Sequence, residues 1–145
     1  MPEQETLNRA HEDAREGKSP STQAGEFVRE EIHHIREGKH GASSAKQAIA
    51  IGLSKARRAG VKLSSPKGSS QLRKKAAQDE QAGKNPRRKV SAKRSRATEA
   101  ALKREPRGAA SKSALSRQAK KAAAKRSKNS RSAAAVKAAR TRKAA

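Results

Sequence analysis

The chain has 145 residues, 37 of them Lys or Arg against 13 Asp or Glu, for a net charge of +24. It has no Cys and a single aromatic ring, Phe27, and 30 of its apolar residues are alanine, which leaves 16 large apolar side chains. This composition excludes disulfides, Cys-based metal sites and Cys nucleophiles. It also argues against one compact core over the whole length, because so few large side chains must offset the entropy of ordering the chain.

In chain order, residues 1–19 form an N-terminal segment that reads as a short helix from about Glu3 to Glu16, ended by Gly17. Its apolar stripe is only Leu7, Ala10 and Ala14. The sequence MPEQETLN lacks a basic n-region and an apolar h-region, so no secretory signal is expected. Ser19-Pro20 opens the next helix with a Ser cap and a Pro in the first turn. Val28, Ile32 and Ile35 recur at helical spacing beside Ala24 and Phe27, and Gly38 suits the C′ position. After the loop, Ser44 and Gln47 have capping-box spacing. The inner face of the second helix is Ala45, Ala48, Ile49, Gly52, Leu53 and Ala56. Ala48, Gly52 and Ala56 lie four apart, which permits close approach of a partner helix, and Gly60 stops the helix. The short loop makes the two helices antiparallel neighbours. Residues 20–63 therefore read as a helical hairpin, with Val61 and Leu63 folding back over it. A module of this size is marginal unaided, so packing by the N-terminal segment or a homo-oligomer through the hairpin is expected.

Residues 64–69 (SSPKGS) read as a Ser/Pro/Gly linker. Residues 70–145 form a basic Ala/Lys/Arg tail. Charge divides sharply at the linker: residues 1–63 carry 11 basic and 9 acidic side chains, and residues 64–145 carry 26 and 4. Ser70, Ser91, Ser111 and Ser130 can each cap a segment of good helix formers. Each segment has one obvious large apolar residue at most: Leu72, Leu102, Leu115 or Val136. That is too few for a packed repeat. The fold class expected is all-α: a small helical hairpin followed by a largely disordered tail whose short helices form conditionally, when phosphates relieve the repulsion between cations.

A net charge of +22 on the tail, 26 basic against 4 acidic residues, points to a polyanion, with duplex DNA first and structured RNA as the alternative. Neutralising phosphates releases counterions, so binding is expected to be sequence-independent and salt-sensitive. The candidate phosphate contacts are Arg87, Arg88, Lys89, Lys93, Arg94, Lys103, Arg104, Lys120, Lys121, Lys125, Arg126, Arg140 and Arg142. Single-strand binders use aromatic stacking platforms, and the tail has none. A second, smaller candidate is the hairpin loop. Lys39, Gly41, Ser43, Ser44 and Lys46 stand where free N–H groups at a helix start could hold a phosphate, although a helix stop and turn explain the same residues.

Catalytic signatures are missing: no Gly-x-Ser-x-Gly, no P-loop and no His-Glu-x-x-His. Glu30 and Glu31 are adjacent and diverge on a helix. His33 and His34 point about 100° apart. With His40 they read as solvated polar-face side chains rather than metal ligands. No enzyme activity, no small-molecule substrate, no cofactor and no metal are expected. No apolar run approaches a membrane span of about 18 residues, and the tail lacks the apolar face that membrane anchoring needs.

The stretches GEFVREEIHHIREGKHG (25–41) and SAKQAIAIGLSKARRAG (44–60) resemble a family of small basic bacterial proteins of unknown function. ALSRQAK (114–120) and SAAAVKAARTR (132–142) look like tails in the same group. The resemblance implies a bacterial, cytoplasmic setting and transfers no activity. In composition the tail is also similar to those of linker histones and bacterial histone-like proteins. The resulting expectation is a nucleoid-associated DNA-binding protein. The alternatives are an RNA- or ribosome-associated basic protein, and a scaffold whose hairpin holds a protein partner.

Overall fold

A computed structural model describes residues 1–85 and 91–144. Among the described residues the chain forms seven α-helices: α1 (Gln4–Arg15), α2 (Pro20–Glu37), α3 (Ala45–Arg58), α4 (Ser70–Lys84), α5 (Ala92–Arg104), α6 (Lys112–Ala124) and α7 (Lys128–Ala144). A 3-10 turn, Arg107–Ala110, joins α5 to α6.

The hairpin is α2 and α3. Its antiparallel register follows from which residues share a core: Ile32 and Ile35 pack with Ala48 at the loop end, and Phe27 packs with Ala56 at the open end. The helices close tightly in between. A Cβ on Gly52 would lie 2.7 Å from Val28 Cα and 2.9 Å from its amide nitrogen. Only a residue without a side chain fits there.

Local signals set the ends of both helices. Ser19 stands at the N-cap of α2, but its hydroxyl contacts Ser21 and Thr22 side chains instead of capping a backbone amide. Ser44 caps α3 by accepting from Gln47 N–H at 3.1 Å. The return bond of a capping box is displaced by one residue, since the Gln47 carbonyl oxygen accepts from Ser43 N–H at 2.6 Å. Gly60, at φ +94°, ends α3 in a left-handed turn in which Val61 N–H reaches back to Ala56 carbonyl at 3.0 Å. This conformation costs glycine little and other residues more. It swings Val61 and Leu63 onto the cluster of Phe27 and Ala56.

The rest of the chain covers the hairpin. Leu7 and Ala10 of α1 close the Phe27 end. Ala109 and Ala110 of the 3-10 turn, with Leu115 of α6, close the Ile32 and Ile35 end. Helix α4 lies on α3, where Gly83 brings it so near that a Cβ would meet Arg57 carbonyl at 2.6 Å. Asp79 of α4 is buried and accepts from Ser54 Oγ at 2.7 Å and Arg58 Nε at 2.9 Å.

This arrangement corrects the expectation of a hairpin plus a disordered tail. Among the described residues the tail is largely helical, and α4, the 3-10 turn and α6 are docked on the hairpin. The scarcity of large apolar residues misleads because the packing relies on alanine and glycine: Ala24, Ala42, Ala48, Ala56, Ala76, Ala109 and Ala110 are all buried. Small side chains let helix backbones approach closely, so dispersion and burial accrue without bulk. The serine caps also shift. Ser69, Ser91 and Ser111 cap α4, α5 and α6, and Ser127 accepts from Ser130 N–H at the start of α7. Ser70 and Ser130 lie inside their helices instead. The outermost elements do differ from the core: α5 buries no residue, and along residues 128–143 of α7 only Ala134 is even half-covered.

Two glycines on the hairpin should respond in opposite ways. Gly52→Ala must push α2 from α3 and is expected to destabilise by about 1–3 kcal/mol. Gly25→Ala, on the exposed side of α2 with open space around it, is expected to stabilise by about 0.5–1 kcal/mol through helix propensity. Urea unfolding of each variant measures both. Asp79→Asn, which leaves Arg58 without its carboxylate, is expected to weaken the docking of α4 by about 1–3 kcal/mol. Trypsin cleavage at Arg73, Lys74 and Lys75 should then accelerate about tenfold, in proportion to the population of the opened state.

Candidate nucleic-acid interface

The sequence places 13 basic residues and no acidic ones after Glu105. Helix geometry turns them outward. On α6, Ala114, Leu115 and Gln118 are the half-buried side, Lys120 lies opposite, Lys112 and Arg117 lie to either side and Lys121 stands beside Gln118, and all four cations are exposed. On α5, Lys93, Arg94, Lys103 and Arg104 fall within one half of the helix, with Leu102 on the other side. On α7, Lys128, Arg131, Lys137, Arg140, Arg142 and Lys143 are distributed all round the axis, and all six are exposed.

Of the phosphate contacts expected from sequence, Lys93, Arg94, Lys103, Arg104, Lys120, Lys121, Lys125, Arg126, Arg140 and Arg142 are all exposed. Lys103 pairs with Glu99 one turn before it at 2.8 Å, which holds the Glu99 carboxyl below its ordinary range. Arg126 packs its guanidinium on Ser130, with Nη2 donating to the Ser130 carbonyl at 3.2 Å. Arg87, Arg88 and Lys89 lie outside the described residues. Sequence reasoning picked the charge clusters but not Lys128, Arg131, Lys137 and Lys143, which complete the cationic surface of α7. Their signal was present in the full run of cations rather than in adjacent pairs.

The hairpin loop is differently occupied. Gly41 N–H donates to Leu102 carbonyl at 2.9 Å and Ala42 N–H to Pro106 carbonyl at 3.0 Å. A Cβ on Gly41 would overlap the Glu105 carbonyl. Ser43 N–H and the Ser44 hydroxyl are engaged by Gln47. Lys39 pairs with Glu3 at 3.1 Å and Glu37 at 3.2 Å. Lys46 alone of the five has an exposed side chain and no such partner among the described residues. The α5 connector thus takes the donors a phosphate would use.

Beneath this loop lies a polar cluster that the sequence did not reveal. Glu30 and Glu31 do not diverge to solvent. Both are buried, and Lys55 of α3 lies between them, 3.1 Å from Glu30 Oε1 and 2.8 Å from Glu31 Oε2. Burial pushes the Glu30 carboxyl up, but the Glu3 amide, the Thr6 hydroxyl and Lys55 together hold it below its ordinary range. Burial likewise pushes Lys55 down, and the two carboxylates more than restore it. Glu3 spans the edge of the cluster: its carboxylate takes His34 Nε2 at 2.9 Å and Lys39, and is held at about 2 by those two hydrogen bonds.

The histidines separate. His33 is exposed, as read from sequence. His34 and His40 are mostly covered, with their rings edge to face at a centroid distance of 6.2 Å. Adjacent His33 and His34 do diverge, but the loop carries His40 back over α2 to meet His34. That return is a tertiary event with no local signature.

Residues 17–67 match the model of DUF6496, a family of unknown function. The match covers α2, α3 and the turn after them, including Glu30, Glu31, His34, His40 and Lys55, and leaves α4 to α7 outside it. No curated protein and no solved structure matches the chain. Among the described residues, no helix is long and apolar enough to cross a membrane.

Proposed function

We propose that this protein binds duplex DNA without sequence preference, through the cationic surface of α5, α6 and α7, in the nucleoid of a bacterial cell. The observation that carries the reading is the segregation of charge. From Arg107 to Lys143 there are 13 basic residues and no acidic one, and all 13 are exposed. A solubilising surface mixes both signs, and the stretch from Arg107 to Lys143 does not.

Helix α7 suits a groove. Its 17 residues span about 25 Å. It carries cations on opposite sides and alanine between them, so its backbone can approach closely. A helix lying in the major groove faces phosphates on both walls, and cations on every side then find partners. Arg contributes bidentate phosphate contacts and Lys point charges. The absence of any aromatic residue beyond Phe27, which is buried, disfavours base stacking and therefore single-strand recognition.

A salt titration on a random-sequence duplex tests the reading. Roughly ten phosphate contacts give a log–log slope of about −9. Replacing Lys128, Arg131, Lys137, Arg140, Arg142 and Lys143 together by Gln, a good helix former, should flatten the slope by about 0.9 for each phosphate no longer neutralised. An unchanged slope and affinity would remove α7 from the interface. Tighter binding to a structured RNA of equal length, at equal salt, would favour an RNA partner over duplex DNA.

A further inference from the structure

We propose that Glu31, His34 and His40 form a binding site for one divalent transition-metal ion, Zn²⁺ foremost, which ties the hairpin loop to α2. One ligand atom from each of these residues lies within 4.8 Å of the other two. Glu31 and His34 stand one helical turn apart on α2, and His40 reaches them from the loop.

The hydrogen bonding around His40 is decisive. Its Nδ1 is 3.0 Å from the Gly41 carbonyl oxygen. A carbonyl only accepts, so Nδ1 must bear the proton. When the ring is neutral, Nε2 then carries the lone pair. That lone pair lies 3.1 Å from Glu31 Oε1, an oxygen of a fully buried carboxylate. Two electron pairs so placed repel, so either a proton or a metal ion lies between these atoms. Backbone anchoring of Nδ1 is also how proteins fix the ligating nitrogen of a metal-bound histidine.

Glu31 supplies the second observation. Its carboxylate is fully buried, and neither oxygen has a well-aimed hydrogen bond among the described residues. Lys55 approaches Oε2 as an ion pair and is already hydrogen-bonded to Glu30 Oε1. Oε1 remains for a second cation. With His40 neutral, two buried carboxylates against one ammonium leave the cluster one negative charge in excess. Burying such a charge without a partner is costly.

The dimensions suit a transition metal. Two ligands bound at 2.0–2.1 Å in a tetrahedron stand roughly 3.3 Å apart, close to the 3.1 Å between His40 Nε2 and Glu31 Oε1. Two imidazoles and one carboxylate suit Zn²⁺ and its neighbours better than Mg²⁺ or Ca²⁺, which prefer oxygen. Glu31 would bind through Oε1 while Oε2 stays on Lys55. An open cavity of about 230 Å³, lined by Glu3, Thr6, Glu30, His34 and Lys39, borders His34, whose Nε2 now rests on Glu3 Oε1 at 2.9 Å and must exchange that partner to ligate an ion. A metal here would staple a hairpin whose core is small.

The test is Zn²⁺ titration into chelator-treated full-length protein, followed by calorimetry and thermal melting. One ion per chain is expected, with the melting midpoint rising by roughly 5–10 °C at saturating metal. His34→Gln and His40→Gln should each weaken binding at least tenfold with helix content retained, and His33→Gln, on the exposed side, should leave it unchanged. Should a variant fail to fold, nitrogen chemical shifts of the wild-type rings decide: Zn²⁺ must move His34 and His40 and spare His33. No binding by the wild type would overturn the proposal and assign His40 Nε2 a proton. Binding that survives both histidine variants, or that perturbs other rings first, would overturn it equally.

Discussion

The closure of α2 on α3 at Gly52 is the constraint on which the rest depends. With no side chain at that position, the backbone of α3 reaches Val28 directly. At that separation alanines suffice to fill the interface, and Lys55 is drawn between Glu30 and Glu31. A wider hairpin would need large side chains, which the chain does not have. It would also leave two carboxylates and an ammonium without each other, and isolated buried charges are strongly destabilising. The small residues and the buried ionic cluster are therefore two consequences of one close contact.

Docking then spreads outward from the hairpin by polar and small-residue contacts. Thr6 and the Glu3 amide bring α1 to Glu30, and Arg9 pairs with Glu26 at 2.6 Å. Asp79 brings α4 to Ser54 and Arg58. Ala109, Ala110 and Leu115 seat the chain's later part on Ile32 and Ile35. Glu3, Glu26, Glu30, Glu31 and Asp79 stand where elements meet, and the cations after Glu105 have no acidic residue beside them in the chain. The same sorting that stabilises the interior creates the polycationic exterior.

Much of the hairpin was legible in the sequence. Helical spacing of Val28, Ile32 and Ile35, the Ser44 cap and the stops at Gly38 and Gly60 are local signals, and each falls where the structure has it. The docked tail was not legible. Counting large apolar residues treats alanine as neutral, yet Ala76, Ala109 and Ala110 are buried because their partners come close. The carboxylate–histidine cluster was also hidden. Glu30 and Glu31 look divergent on a helical wheel until Lys55 is placed between them, and His40 meets His34 only through the path of the loop. In contrast, the exposed cations of α5 to α7 could be read directly, because an alanine- and lysine-rich helix leaves them nowhere else to point.

Helix α4, the 3-10 turn and α6 are docked parts of one fold, while α7 is an exposed cationic helix. Amide hydrogen exchange on the full chain, resolved by segment, tests it most directly. Slow exchange is expected across residues 70–84 and 107–118, comparable with α2 and α3, and faster exchange across residues 128–143. Unprotected exchange over all of residues 70–144 would contradict it and leave the hairpin as the sole folded unit.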